Sequence, residues 1–407
     1  MNLSYFISKR ISREQKQGFS SAIHRIAIAS IGVGLGASII SFLVMLGFQE
    51  TVKDKVFGFS GHLVITKFTM SNSTEEGAMN YHIGLYDSVN KFPYVRHVQE
   101  FAHKAGLIKT DSEEVLGVLL KGVGKSFDTL AFRENIVEGK FINFPDSSYA
   151  NQIVISRIIA NKLQTKVGEN IIIHFFQNPP RSRRLKIVGL YETNLSEYFD
   201  NRVVIGDIRL IQRLNDWSDS LAGGLEVFVA DRDKVEDAGY AIGESMDFDL
   251  NIERISDKFI QVFEWLHLLS RQVNILLGII LIVVCVNMTS IVLILVMERT
   301  QMIGMLKALG AGDKFIRAIF IFNGINLIYK GLILGNIVGL GLCYLQHQFK
   351  LVKLNPQDYY MSFVPIGWHW EIVLLLNLLT FSVVTLVLLI PTMVIARINP
   401  IKTIRFD

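Results

Sequence analysis

The sequence predicts a membrane protein of four transmembrane α-helices, with a large mixed α/β periplasmic domain inserted between helices 1 and 2. Three observations predict it. Half of the 407 residues are hydrophobic and only 19% are charged, against about 25% in an average soluble protein, and the mean hydropathy is +0.36. Four apolar runs are long enough to cross roughly 30 Å of hydrocarbon, which takes about 20 helical residues. The long polar stretch between the first two runs alternates strand-like and helix-like patterns. The composition excludes a disordered chain and argues against an ordinary soluble enzyme. The formal net charge of +4, from 41 basic and 37 acidic residues, is too small to suggest a nucleic-acid binder.

Residues 1–25 form a polar N-terminal segment. Leu3, Phe6, Ile7 and Ile11 share one helical face, with Lys9, Arg13 and Lys16 elsewhere. That suits an amphipathic helix on the inner leaflet, or equally a solvated cap on the first span. The first span, 26–48, exceeds the apolar length of a signal peptide and is read as an uncleaved anchor. The second is 272–297, the third lies within 316–349 and the fourth is 372–396. Short segments 298–315 and 350–371 connect them, and 397–407 closes the chain. Lys9, Arg10, Arg13, Lys16 and Arg25 precede the first span, Arg299, Lys307, Lys314 and Arg317 follow the second, and Arg397, Lys402 and Arg405 follow the fourth. The positive-inside rule therefore puts both termini and 298–315 in the cytoplasm, with 49–271 and the short periplasmic loop 350–371, which carries only Lys350 and Lys353, outside.

Within 49–271, period-two runs at Gly61–Ile65, Asn151–Ile155 and Leu185–Val188 read as strands, and Arg157–Lys166 and Asp207–Leu214 as helices. The two cysteines, Cys285 and Cys343, both lie in apolar runs, so neither a disulfide framework nor a cysteine metal site is expected. Cysteine-free outer residues are compatible with a bacterial periplasm.

Several motifs point away from chemistry. Gly122-Val123-Gly124-Lys125-Ser126 resembles the end of a P-loop, yet Leu119 stands where the motif needs glycine, and the segment is on the side without ATP. Gly32, Gly34 and Gly36 lie in a membrane span with no strand before them. Gly32 and Gly36, like Gly331, Gly335 and Gly339 in the third span, instead allow close helix approach in lipid. No H-E-x-x-H or G-x-S-x-G pattern occurs. No catalytic, metal-binding or cofactor-binding residue is expected. Lys330 is either an intramembrane functional charge or a side chain snorkelling to the cytoplasmic interface, since Gly331–Phe349 alone is nearly long enough to span.

Two patterns point toward mechanics. Phe259, Val262, Leu266, Leu269, Val273 and Leu276 follow spacings of three and four without Pro or Gly, predicting one continuous stalk helix from the outer domain into the second span. In the cytoplasmic loop, Ile303 and Leu306, with Met302 and Leu309, fall on one face of a short helix closed by glycines. An apolar face with charged shoulders suits docking of a partner protein.

That loop, Met297-Glu298-Arg299-Thr300-Gln301-Met302-Ile303-Gly304-Met305-Leu306-Lys307-Ala308-Leu309-Gly310-Ala311-Gly312, resembles the coupling loop of ABC transporter permeases of the FtsX/MacB superfamily. The ending from Pro391 through Ala396 and Pro400 to Arg405 is similar to that superfamily's C-terminal pattern. Gly47-Phe48-Gln49-Glu50, followed by Gly58-Phe59-Ser60-Gly61-His62-Leu63-Val64-Ile65, resembles the LolC and LolE lipoprotein-releasing permeases. The resemblance covers essentially the whole chain.

The resemblance implies a permease subunit in the bacterial inner membrane, paired with a second permease copy, either itself or a paralogue, above two ABC ATPase chains. ATP and Mg would bind those chains, since the segment before the first span is too short for a fused ATPase. It implies contacts to the ATPase through Glu298, Arg299, Met302, Ile303, Gly304, Leu306, Lys307, Leu309 and Gly310. The stalk and substrate access would involve Val44, Phe48, Phe259, Val262, Phe263 and Leu266. A periplasmic carrier would be met by a hairpin loop holding Pro179, Pro180, Arg181, Arg183 and Arg184, here shorter than the family's usual hook. The work implied is extraction of lipoproteins or lipid-like cargo from the outer leaflet by mechanotransmission. The alternatives are an FtsX-like signalling scaffold controlling a cell-wall hydrolase, or a MacB-like exporter. Gln301 and Met302 depart from the basic and acidic residues usual at those loop positions.

Overall fold

The computed structural model describes residues 19–69, 73–109, 115–146 and 148–393. The amphipathic reading of Leu3–Lys16 and the C-terminal pattern beyond Met393 lie outside the described residues. The longer helices are α1 (Phe19–Ser60), α2 (Arg157–Leu163), α3 (Ile208–Leu214), α4 (Val235–Gly243), α5 (Ile260–Glu298), α6 (Thr300–Ala308), α7 (Asp313–Phe349) and α8 (Trp370–Val387). The chain divides into two compact units. One holds the residues up to Glu50, Trp265–Lys353 and those from Phe363 onward; the other holds Thr51–Glu264 and Leu354–Ser362.

Among the described residues, four helices, wholly or mainly in the first unit, are long and apolar enough to cross a membrane: Ala22–Ser60, Ile260–Glu298, Asp313–Phe349 and Trp370–Thr392. All but the last run beyond the apolar stretches that reveal them, because backbone hydrogen bonding continues where the hydrocarbon ends. Ile31, Leu35, Ile39 and Leu43 recur every four residues on α1 and are almost wholly buried. Against them lies the glycine stripe of α7. A Cβ on Gly335 would meet the Gly32 carbonyl oxygen and Leu35 Cβ, each at 2.9 Å, and one on Gly339 would meet Gly36 Cα at 3.1 Å. Small residues let the two backbones touch, which is how dispersion holds helices together in lipid. Between α7 and α8, Asn336 and Asn377 exchange amide hydrogen bonds of 2.7 and 3.0 Å. Each amide also donates to a carbonyl four residues earlier in its own helix.

Replacing Gly335 by Val should therefore lower the thermal unfolding temperature of the detergent-solubilised protein by several degrees. Gly341→Ala, which meets nothing within 4 Å, should leave it unchanged. Equal melting of all three proteins would contradict the α1–α7 contact.

The second unit is built on a ten-stranded sheet of β1 (Leu63–Lys67), β3 (Val95–Lys109), β4 (Val115–Val123), β5 (Ile136–Gly139), β6 (Gln152–Ser156), β7 (Asn170–Phe175), β8 (Arg181–Tyr191), β9 (Val203–Asp207), β11 (Gly224–Val229) and β12 (Leu250–Arg254). Its order is β12-β1-β11-β3-β4-β9-β6-β8-β5, with β7 bonded to β3 and β8. The short β2 (Met79–Asn80) and β10 (Leu221–Ala222) pair separately. Among the described strands, β4–β9 and β6–β8 run parallel and the other pairs antiparallel. The second parallel pair encloses α2, capped by Ser156 accepting from the Ile159 amide. Asp207 caps α3 by accepting from the Arg209 amide.

Two sequence expectations change here. The segment 350–371 is not merely a connector: Leu354–Ser362 belongs to the α/β unit. There the Tyr360 carbonyl accepts from Lys55 Nζ at 2.7 Å, as does that of Thr193. The stalk helix begins at Ile260, after a separate turn at Ile255–Lys258, because Phe259 leaves helical geometry at φ −106°, ψ 39°.

Candidate functional site

The C-terminal turn of α1 is seated inside the α/β unit. The helix ends at Ser60, and Gly61 follows at φ +73°, with its amide donating to the Phe57 carbonyl. This left-handed stop requires glycine, since a Cβ there would also come within 3.0 Å of the Val227 carbonyl. The last carbonyls of a helix need donors from elsewhere. Lys121 on β4 supplies one, donating to the Phe59 carbonyl at 2.6 Å and to Glu226 Oε1 on β11 at 2.6 Å. Gln99 on β3 donates to the other Glu226 oxygen at 2.7 Å. Lys121 and Glu226 are only 2% and 3% exposed, so each charge depends on the other. The Lys121 ammonium also lies 4.6 Å from the Phe59 ring centroid, and Phe59 stacks on Phe199 at 4.1 Å. Beside this seat, His62 stacks on Phe57 and accepts from the Val229 amide at 3.2 Å. Burial, reinforced by Arg96, pushes its pKa down to about 4, so it is neutral at physiological pH.

The Lys121→Met variant strands a buried carboxylate and a helix carbonyl, a loss of about 3–5 kcal/mol. Thermal unfolding of the full-length protein should show it, and Lys121→Met combined with Glu226→Leu should recover most of it. A single variant as stable as wild type would contradict the seat.

The loop helix α6 presents a different face from the one its sequence suggests. Ile303 and Gly304 are buried and Met302 and Leu306 half-buried against the apolar cluster of the membrane unit, which includes Val292, Leu295, Ile316 and Phe320. The correction follows from helix geometry: the strongest apolar stripe turns to the large apolar surface of its own unit. Outward lie Glu298, Gln301, Met305 and Leu309, spaced by three and four, with Met305 56% and Leu309 83% exposed. Arg299 is half-buried, Lys307 pairs with Asp313 at 3.0 Å, and Gly310 turns the chain at φ +87°.

The hairpin also differs from expectation. Arg181, Arg183 and Arg184 are not in a loop but in β8, which extends to pair Phe175 with Arg181 and Ile172 with Arg184. The connection shrinks to Phe176–Pro180, carrying Pro179 and Pro180. Arg181 forks onto Asp216 at 3.0 and 3.2 Å and caps α3 through the Arg213 and Leu214 carbonyls. It is thus committed to its own domain. Arg183 is half-buried, and Arg184 and Phe176 remain exposed.

The stalk residues divide between the units. In the membrane unit, Phe48 meets Trp265 edge-on at 5.4 Å, and the carbonyl of buried Leu266 accepts from Gln49 at 2.9 Å; Val44 is half-buried. In the α/β unit, Val262 is buried, Phe263 lies 5.5 Å from Phe57, and Phe259 meets Tyr198 and Phe199. Val262 and Leu266 are therefore packing positions. Lys330 is exposed and makes no ion pair among the described residues.

A helix seated in a periplasmic-type domain, four spans and a loop helix facing outward define a class. The family model for the FtsX-like permease C-terminal matches residues 274–400. That for the MacB-like periplasmic core domain matches residues 26–244. The latter is more than half of the chain, and the protein belongs to the FtsX/MacB class of ABC transporter permeases; it is a membrane protein with a periplasmic domain. Along its whole length it is similar to the lipoprotein-releasing system transmembrane protein LolC of Neisseria meningitidis serogroup B, at 22% identity over 428 residues and 100% of both chains. It is likewise similar to LolE of Haemophilus influenzae, at 22% over 421 residues and 99% of each chain. Among solved structures, the periplasmic region of MacB from Actinobacillus actinomycetemcomitans matches 50% of this chain and 92% of its own, with TM-score 0.34 and 12% identity.

Proposed function

We propose that this permease works in an ATP-driven complex of the bacterial inner membrane, drawing lipoproteins from the outer leaflet and passing them to a periplasmic carrier. The observation that carries this reading is the seat of α1. A helix long enough to span a membrane ends with its last carbonyls bonded inside the α/β domain, so displacement of the helix acts on that domain directly. The full-length likeness to proteins named for lipoprotein release supports the cargo. Each acyl CH₂ leaving lipid costs about 0.8 kcal/mol, which accounts for coupling to hydrolysis on a separate ATPase chain holding ATP and Mg. A second permease copy completes the complex. The outward row Glu298, Gln301, Met305 and Leu309 is the surface offered to the ATPase, and Phe176 with Arg184 the hairpin surface left for a carrier.

The test uses proteoliposomes containing the permease, its ATPase and an acylated lipoprotein, with soluble carrier outside. ATP should drive lipoprotein into the soluble fraction. Met305→Asp should reduce ATPase co-purification and release by about tenfold or more, each tenfold being about 1.4 kcal/mol, without altering thermal unfolding. Undiminished co-purification would place the ATPase contact elsewhere, and release without ATP would contradict the transport cycle.

A further inference from the structure

Beside the seat of α1, the α/β unit forms an open-mouthed cavity of about 400 Å³, within the range of roughly 300–1,000 Å³ typical of small-ligand sites. We propose that it binds a single acyl chain bearing an anionic head group. The proposal deepens the transport reading and rests on it for its biological use, yet chain binding is measurable without ATPase, ATP or release, so either can fail alone.

The inner wall is aromatic and aliphatic: Phe59, Phe101, Phe199, Val64, Val203 and Ile255 all line it and are buried. The charges on that wall are already spent on one another. Lys121 holds Glu226, and His103 Nδ1 meets Glu76 Oε1 at 2.7 Å while the His103 amide donates to the same carboxylate at 3.0 Å. An apolar chain entering the cavity therefore strands no donor or acceptor, and burial of its methylenes is favourable.

The rim has the opposite character. Arg202 and Lys258 line the cavity and are exposed, and neither makes an ion pair among the described residues. Arg202 is anchored through Nε to the Tyr198 carbonyl at 3.1 Å, leaving its terminal nitrogens available. The exposed hydroxyl residues Ser73 and Thr74 border the same cavity. Two cations and two hydroxyls around an apolar interior match a carboxylate or phosphate at the end of a hydrocarbon chain. A neutral chain satisfies only the interior, and a soluble anion only the rim. A volume of about 400 Å³ favours one chain over a two-chain lipid.

The experiment photolabels the full-length protein in nanodiscs with a palmitate carrying a diazirine on its chain, then with a lysophosphatidylglycerol labelled in the same way. Labelled peptides are mapped by mass spectrometry. Label is expected in β4 and β9, and which probe reaches them distinguishes free fatty acid from lipid. Leu119→Trp, which fills the cavity from a half-buried position, should cut that label by roughly tenfold for both probes. Arg202→Gln with Lys258→Gln, at exposed positions with no structural bond to lose from Lys258, should cut it for the anionic probes and leave labelling by a diazirine hexadecanol unchanged. Label confined to the membrane helices, or cavity label indifferent to both variants, would overturn the proposal.

Discussion

The buried pair of Lys121 and Glu226 is the constraint on which the rest of the α/β unit depends. It joins three elements that are remote in sequence: the final turn of α1, β4 and β11. Two unpaired charges in that interior would be costly, so the pair exists only when the helix end and both strands are in place. Phe59 contributes a second, apolar reason for the same arrangement, its ring covered by the Lys121 ammonium on one side and by Phe199 on another. Gly61 then lets the chain leave the helix directly into β1, where Leu63 pairs with Val227 and Arg254. The seat thus sets the register of three neighbouring strands as well as the point at which the helix stops.

The membrane unit is held by different physics. No hydrophobic driving force distinguishes a neighbouring helix from lipid, and stability comes from close backbone approach and a few interhelical amide bonds. The stripe of Gly331, Gly335 and Gly339 against α1, and the Asn336–Asn377 exchange, are those two devices. The loop helix α6 draws its order from the same unit through Ile303. Its outward residues are consequently few and well defined.

The four spans are legible in the sequence because an uninterrupted apolar run of about twenty residues matches the thickness of hydrocarbon and exceeds what a soluble core helix needs. The strands around Leu63–Ile65 and Ile153–Ile155 and the helices after Ser156 and Asp207 are legible from their period, which is a local signal. The seat is not. Lys121 sits in an apolar run, and nothing local says that it is buried or that its partner lies 105 residues away. The orientation of α6 escapes the sequence for a related reason: a stripe can be seen there, but not which of two surfaces it faces. The hairpin arginines read as loop because Pro179 and Pro180 mark a turn, whereas the pairing of β8 with β7 reaches back to Arg181. The membership of Leu354–Ser362 in the α/β unit depends on contacts through Lys55 that no periodicity reveals.

The end of α1 is an integral part of the α/β domain, and everything proposed for the transmission of movement follows from that. Native-state hydrogen exchange of the full-length protein tests it directly, because residues that open as one cooperative unit share one opening free energy. The amides of Thr51–Ser60 should exchange with the same protection as those of Val98–Ala102 in the centre of the sheet. Exchange of Thr51–Ser60 on the faster scale of a frayed helix end, with the sheet still protected, would contradict the seat.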